Sequence, residues 1–148
     1  MTAFFKSALD TNAISELMRP APSPVVVAWF ARHDFQDMCL TAVSEAELRF
    51  GVQSKPAGKR RDQLQTLMEN WLDKGDLHDR ILPFDSDAAK AYANIAFKCR
   101  KRGRPISTAD CQIAAICLSK NLTLVTRNCQ HFVNTGIDVV NPWTAGLH

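Results

Sequence analysis

Short apolar runs alternate along this chain with longer amphipathic stretches. Residues 4–9, 38–43, 80–82, 122–126 and 137–140 are brief and partly β-branched, and they read as strands. Leu64, Leu67, Met68, Trp71 and Leu72 recur at the spacing of one helix face, as do Ala88, Tyr92, Ile95, Ala96 and Cys99. Gly103 and Pro105 should end the second of these helices. Strand–helix alternation predicts an α/β fold on a mostly parallel sheet. In such folds, sites form beyond the carboxyl ends of the strands, near the switch in strand order. The loops at 20–24 and 55–58 carry turn chemistry but are too short to separate domains, and there is no internal repeat.

The rule about strand ends gives four polar residues a meaning. Asp10 closes the first apolar run, and Glu47 lies about one turn into the helix after the second. Asp110 follows Ser107 at the start of a helical segment, and Asn128 follows the fourth run. Each acid also has a simpler explanation: Asp10 as an N-cap, Ser44-x-x-Glu47 as a capping box, and Ser107-x-x-Asp110 as its looser form. Capping does not explain orientation, however. Ile113, Ala114 and Cys117 share the helix face of Asp110, and Val43, Phe50 and Gly51 share that of Glu47, so both carboxylates are expected to face inward. Carboxylates converging to about 5 Å repel by roughly 3 kcal/mol at an effective dielectric of about 20, which calls for protonation or a bound cation. Oxygen donors without paired imidazole or thiolate suit Mg²⁺ or Mn²⁺ rather than zinc. Glu45 projects to another face and is set aside, while Glu16, Asp62, Glu69, Asp73 and Asp76 read as solvated surface. His131, a lone imidazole, reads as structural or exposed rather than as a ligand.

Composition narrows the field. A chain of 148 residues suits one domain with one sizeable core. No apolar run reaches the ~18–20 residues that span a bilayer, and the first residues lack the apolar core of a signal peptide, so a cytoplasmic location is expected. Five cysteines without Cys-x-x-Cys spacing favour reduced thiols, with Cys111 and Cys117 as core hydrophobes. There is no Walker A loop, no Gly-x-Gly-x-x-Gly and no Gly-x-Ser-x-Gly. Metal-assisted hydrolysis of a phosphodiester is left as the chemistry that oxygen-bound Mg²⁺ serves. The net charge of +3 is uneven: Lys98, Arg100, Lys101, Arg102 and Arg104 form one basic run, and Lys55 with residues 59–61 another. A solvated helix end explains either run alone, but the first leads directly to Asp110, where it could hold a polyanion.

The ordered set of Leu9-Asp10-Thr11-Asn12, Glu47-Leu48-Arg49-Phe50-Gly51, Pro105-Ile106-Ser107-x-Ala109-Asp110, Thr126-Arg127-Asn128 and Asn141-Pro142-Trp143 resembles a PIN-domain ribonuclease of the VapC/FitB type, a bacterial toxin of toxin–antitoxin pairs. The resemblance covers residues 9–143 and implies one PIN-like nuclease domain over residues 1–148, three-layered (α/β/α) around a short parallel sheet of about five strands. It implies a homodimeric endoribonuclease dependent on Mg²⁺ or Mn²⁺, with tRNA the favoured substrate. It also implies a small antitoxin that enters the active site, carries a DNA-binding domain, and alone connects the assembly to DNA. Carried over, Asp10, Glu47 and Asp110 are the metal-site acids and Asn128 the fourth catalytic member, while Thr11 or Ser107 holds a water or phosphate oxygen. Arg100, Arg102 and Arg104 are candidates for gripping the RNA backbone. Many relatives have an acid where this chain has His131, and with Asn128 neutral the three carboxylates argue against a second tightly held ion. Two rivals stay open: a PIN-like module that has lost catalysis and binds protein or RNA, and a phosphotransfer domain, against which Asn12 stands where a second Asp is expected.

Overall fold

All five apolar runs become strands, and the strands form one parallel sheet. The computed structural model describes residues 4–145. Its elements are β1 (Ser7–Leu9), α1 (Thr11–Leu17), α2 (Pro24–Ala31), β2 (Met38–Thr41), α3 (Ala42–Gln53), α4 (Lys59–Leu72), β3 (Ile81–Leu82), α5 (Ser86–Lys101), α6 (Thr108–Lys120), β4 (Thr123–Val125) and β5 (Val139–Val140). The sheet order is β3-β2-β1-β4-β5, with every pair parallel. The two amphipathic stripes lie in α4 and α5.

Successive strand residues serve opposite faces. Ala8, Cys39 and Leu124 belong to the core beneath α5 and α6, whereas Leu9, Leu40 and Val125 belong to the core beneath α1 to α4. All six are fully buried, which is why the central strands read as apolar runs without alternation. The expected three-layer α/β/α arrangement is present. Strands are shorter than their apolar runs: the first pairs only from Ser7, and the second ends at Thr41, whose hydroxyl caps α3.

The end of α5 follows the expected stop signal. Gly103 has φ +71°, its N–H bonds Arg100 O, and Arg104 N–H reaches back to Cys99 O at 2.9 Å. These two bonds form a Schellman motif, which turns the chain sharply and sets Arg104 beside the end of the helix. All five cysteines are free. Burial pushes the Cys111 thiol up to about 11 and that of Cys39 up to about 12, so they remain neutral, as expected of core residues. Among the described residues no helix is long and apolar enough to cross a membrane.

Candidate active site

Strand order reverses between β1 and β4, because the chain leaves β1 toward β2 on one side and later returns to fill the other. Asp10 sits at this crevice, immediately after β1, and its N–H bonds Val125 O of β4 at 2.9 Å. It caps α1, accepting from Thr11 N at 2.8 Å. Its second carboxylate oxygen accepts from the Thr126 hydroxyl at 2.7 Å and from Asn12 Nδ2 at 3.3 Å. Capping and site placement therefore coincide. Asp10 is buried, and burial pushes its pKa above the ordinary carboxylate value, with the charge of Asp110 adding to the rise and the three donors opposing it.

Glu47 arrives by a different route than its spacing suggested. Thr41, not Ser44, caps α3: its hydroxyl accepts from Ser44 N at 3.0 Å, which removes the proposed Ser44–Glu47 capping box. The inward orientation is corrected as well. Ser44, Leu48 and Val52 form the buried face of α3, while Glu47 is exposed and Phe50 is 73% exposed. Glu47 nonetheless joins the crevice, because Thr11 Oγ1 donates to its Oε1 at 3.0 Å. Partial desolvation pushes its pKa up, and the charges of Asp10 and Asp110 push it further, so the three acids share one field.

Asp110 is held as its spacing indicated. Ser107 caps α6 and its hydroxyl accepts from Asp110 N at 3.2 Å, while Ile113, Ala114 and Cys117 on the same face are fully buried. Its carboxylate does not reach back to complete a capping box; Oδ2 lies 3.2 Å from Nδ1 of the half-exposed His131. Asn128 is exposed, with its backbone N–H donating to Thr126 Oγ1 at 3.0 Å.

Asp10, Thr11, Glu47, Ser107, Asp110 and Asn128 line one open cavity of about 460 Å³, together with His131. Arg104 lines an adjoining cavity of about 370 Å³, whereas Arg100 and Arg102 line neither. Arg102 instead donates to Asn134 Oδ1 at 2.8 Å. Sequence reasoning missed the positioning roles of Asn12 and Thr126, although both lie inside quoted motifs. It also misjudged Glu16, which is buried, accepts from Ser23 N at 2.8 Å and pairs with Arg19, tying the loop between α1 and α2.

A PIN domain profile matches residues 8–136. The VapC ribonuclease Y4jK of Sinorhizobium fredii is 39% identical over 135 residues, covering 91% of this chain and 96% of that protein. The chain belongs to the PIN-domain family. Toxin FitB of Neisseria gonorrhoeae is also 39% identical to this PIN domain, over 135 residues and with the same coverage of each chain. In structure, it resembles a chain of FitAB bound to an IR36 DNA fragment, with TM-score 0.84, 38% identity, and 92% of this chain and 94% of that one covered.

The donor set of the PIN site suits a hard divalent cation held loosely. Among the described residues, no three His, Cys, Asp or Glu side chains are gathered tightly enough to enclose an ion. Glu47 is held by Thr11 and Asp110 lies against His131. Mg²⁺ is ordinarily bound through one or two carboxylates plus waters and substrate phosphate, not by an all-protein cage, so an open carboxylate cavity fits it.

Proposed function

We propose that this PIN domain is an endoribonuclease dependent on Mg²⁺ or Mn²⁺, and the toxin of a toxin–antitoxin pair. The carrying observation is the convergence of Asp10, Glu47 and Asp110, with Asn128, on one cavity at the β1/β4 switch point. The raised pKa values of Asp10 and Glu47 support it: burial first, and the neighbouring carboxylates in addition, disfavour their charged forms, and a divalent cation would offset both. Residues 1–148 act as one nuclease domain in the cytoplasm, where RNA is abundant and free cysteines persist. tRNA is the favoured substrate. The toxin works as a homodimer, and its partner is a small antitoxin through which alone it meets DNA; the complex of FitAB with DNA supports that assembly.

Asp10 and Asp110 would hold the ion, with Glu47 beside them. When bound, it neutralises charge developing on the scissile phosphate. Asp10 is fixed by three donors and so gives the site its origin. Glu47 is accessible and of raised basicity, and it takes the proton as the water oxygen bonds to phosphorus in line with the departing ribose oxygen. The bond to that oxygen breaks, and it is protonated from solvent. The neutral amide of Asn128 donates to a phosphate oxygen without adding negative charge. Thr11 orients Glu47, and Ser107 orients Asp110. The test is cleavage of tRNA and other RNAs with Mg²⁺ or Mn²⁺, with EDTA, and with Asp10→Ala or Asp110→Asn. Chelation and both variants should abolish cutting; undiminished cleavage by both variants refutes the assignment.

A further inference from the structure

The cavity of about 370 Å³ beside the acidic site has the size of a small-ligand pocket and shares a wall with it. Ser107, Asp110 and His131 line both cavities. A nucleotide whose phosphate lies over the carboxylates therefore has its base or ribose within reach of this second space. Its lining is unlike that of the acidic site. Arg104, Gln130 and Asn134 supply polar groups, and Ile106 and Val133 supply apolar surface.

Each polar group is presented by a definite local structure. The Schellman turn at Gly103 delivers Arg104, which pairs with no carboxylate among the described residues. Asn134 is oriented by Arg102, whose donation to Oδ1 occupies the acceptor and leaves the amide N–H₂ as the group available to a ligand. Gln130 is exposed in the 3₁₀ turn Cys129–Phe132, which directly follows Asn128. An arginine fork matches the O6 and N7 acceptors of guanine, and a side-chain amide matches N6 and N7 of adenine, so this trio suits purine edges. Val133, 56% exposed, offers a face on which a flat ring can pack.

We infer that this second cavity is a base-reading subsite that takes the purine flanking the scissile phosphate, with Arg104, Gln130 and Asn134 contacting its edge. Arg102 is then a positioning residue for Asn134 rather than a phosphate grip. The inference rests on the ribonuclease reading above.

The experiment measures kcat/KM of the full chain with Mn²⁺ on short fluorogenic RNAs that vary each base flanking the cut in turn. Wild type should favour purine over pyrimidine at one flanking position by roughly tenfold or more. Gln130→Ala and Asn134→Ala should each lower that ratio, and the double variant should bring it close to one. Arg102→Gln should lower the ratio by loosening Asn134, a change that loss of a phosphate contact would not cause. Equal rates for all four bases, or an unchanged ratio in the double variant, overturns the subsite while leaving the nuclease intact. Failure of wild type to cut any RNA overturns the nuclease reading and the subsite with it. Should Asn134→Ala unfold in a thermal melt, Gln130→Ala alone carries the comparison.

Discussion

Thr126→Val tests how the site is held together. The substitution keeps the shape of a fully buried side chain and removes only its hydroxyl. That hydroxyl donates to Asp10 at 2.7 Å, accepts from Asn128 N at 3.0 Å, and lies 3.4 Å from Asn12 Nδ2. The first contact is charge-assisted and contributes about 1.5–3 kcal/mol. The others matter less, since Asn128 is exposed and its N–H can turn to water, and Asn12 keeps Asp10 as an acceptor. The expected loss is about 2 kcal/mol at neutral pH, or a fall in Tm of about 4–8 °C for a chain of this size. The sign with pH is fixed. Removing a donor to the charged form lifts the Asp10 pKa further, so the variant loses most where Asp10 is ionised. The gap between wild type and variant should be small near pH ~4 and widen toward pH ~8. Thermal melts of both metal-free proteins across that range decide the matter. Equal Tm values throughout, or a gap that narrows as pH rises, would refute this account of Asp10.

Other outcomes follow from the same geometry. A divalent cation at about 100 times its Kd should stabilise the wild type by about 2.7 kcal/mol, read as a rise in Tm of about 5–10 °C, and Asp10→Ala or Asp110→Asn should erase most of that rise. Glu47→Gln should lower kcat by roughly 10²–10⁴-fold, and a normal rate would remove Glu47 from proton transfer. Because the Glu47 pKa is raised and its ionised form is the active one, wild-type kcat/KM should fall as pH drops through a value above the usual glutamate range. Glu16→Ala should cost about 1–2 kcal/mol by leaving Ser23 N–H unpaired, with Glu16→Gln closer to wild type. The Ser23 N–H holds the Glu16 pKa down, with Arg19 contributing, so this stabilisation is present above the ordinary glutamate value and the deficit of Glu16→Ala should shrink as the solution is acidified.

The sheet was legible because its central strands are buried on both faces and leave uninterrupted apolar runs. Asp10 and Asp110 were legible because each stands where a strand yields to a helix or a capping serine begins one. Glu47 lines the cavity without facing the core, so its position follows from the strand-end rule and not from helix periodicity. Val43, Phe50 and Gly51 lie at helix spacing from Glu47, but Phe50 and Gly51 are exposed, so an apolar neighbour on the same face does not make that face a buried one. Thr126 and Asn12 escaped because side-chain bonds across 116 and 114 positions follow no local periodicity. Glu16 escaped for a related reason: its main partner is the backbone N–H of Ser23, presented only once the loop between α1 and α2 has formed.

Capping and a place in the acidic cavity are rival explanations in the sequence, and in the structure Asp10 and Asp110 combine the two. Asp10 caps α1, Asp110 is the third residue of α6, and Glu47 is the sixth of α3, so all three acids stand within about two turns of a helix N-terminus at one sheet edge. A helix N-terminus favours a nearby carboxylate by about 0.3–1 kcal/mol. That is less than the roughly 3 kcal/mol repulsion of two carboxylates at about 5 Å. Capping therefore makes the cluster tolerable without neutralising it. Asp10, against three donors, and Glu47, against one, are both raised first by burial and then by neighbouring charge. Capping accounts for the positions of Asp10 and Asp110 but not for Glu47, which caps nothing yet lies in the field of both, and a divalent cation in the cavity would offset all three charges.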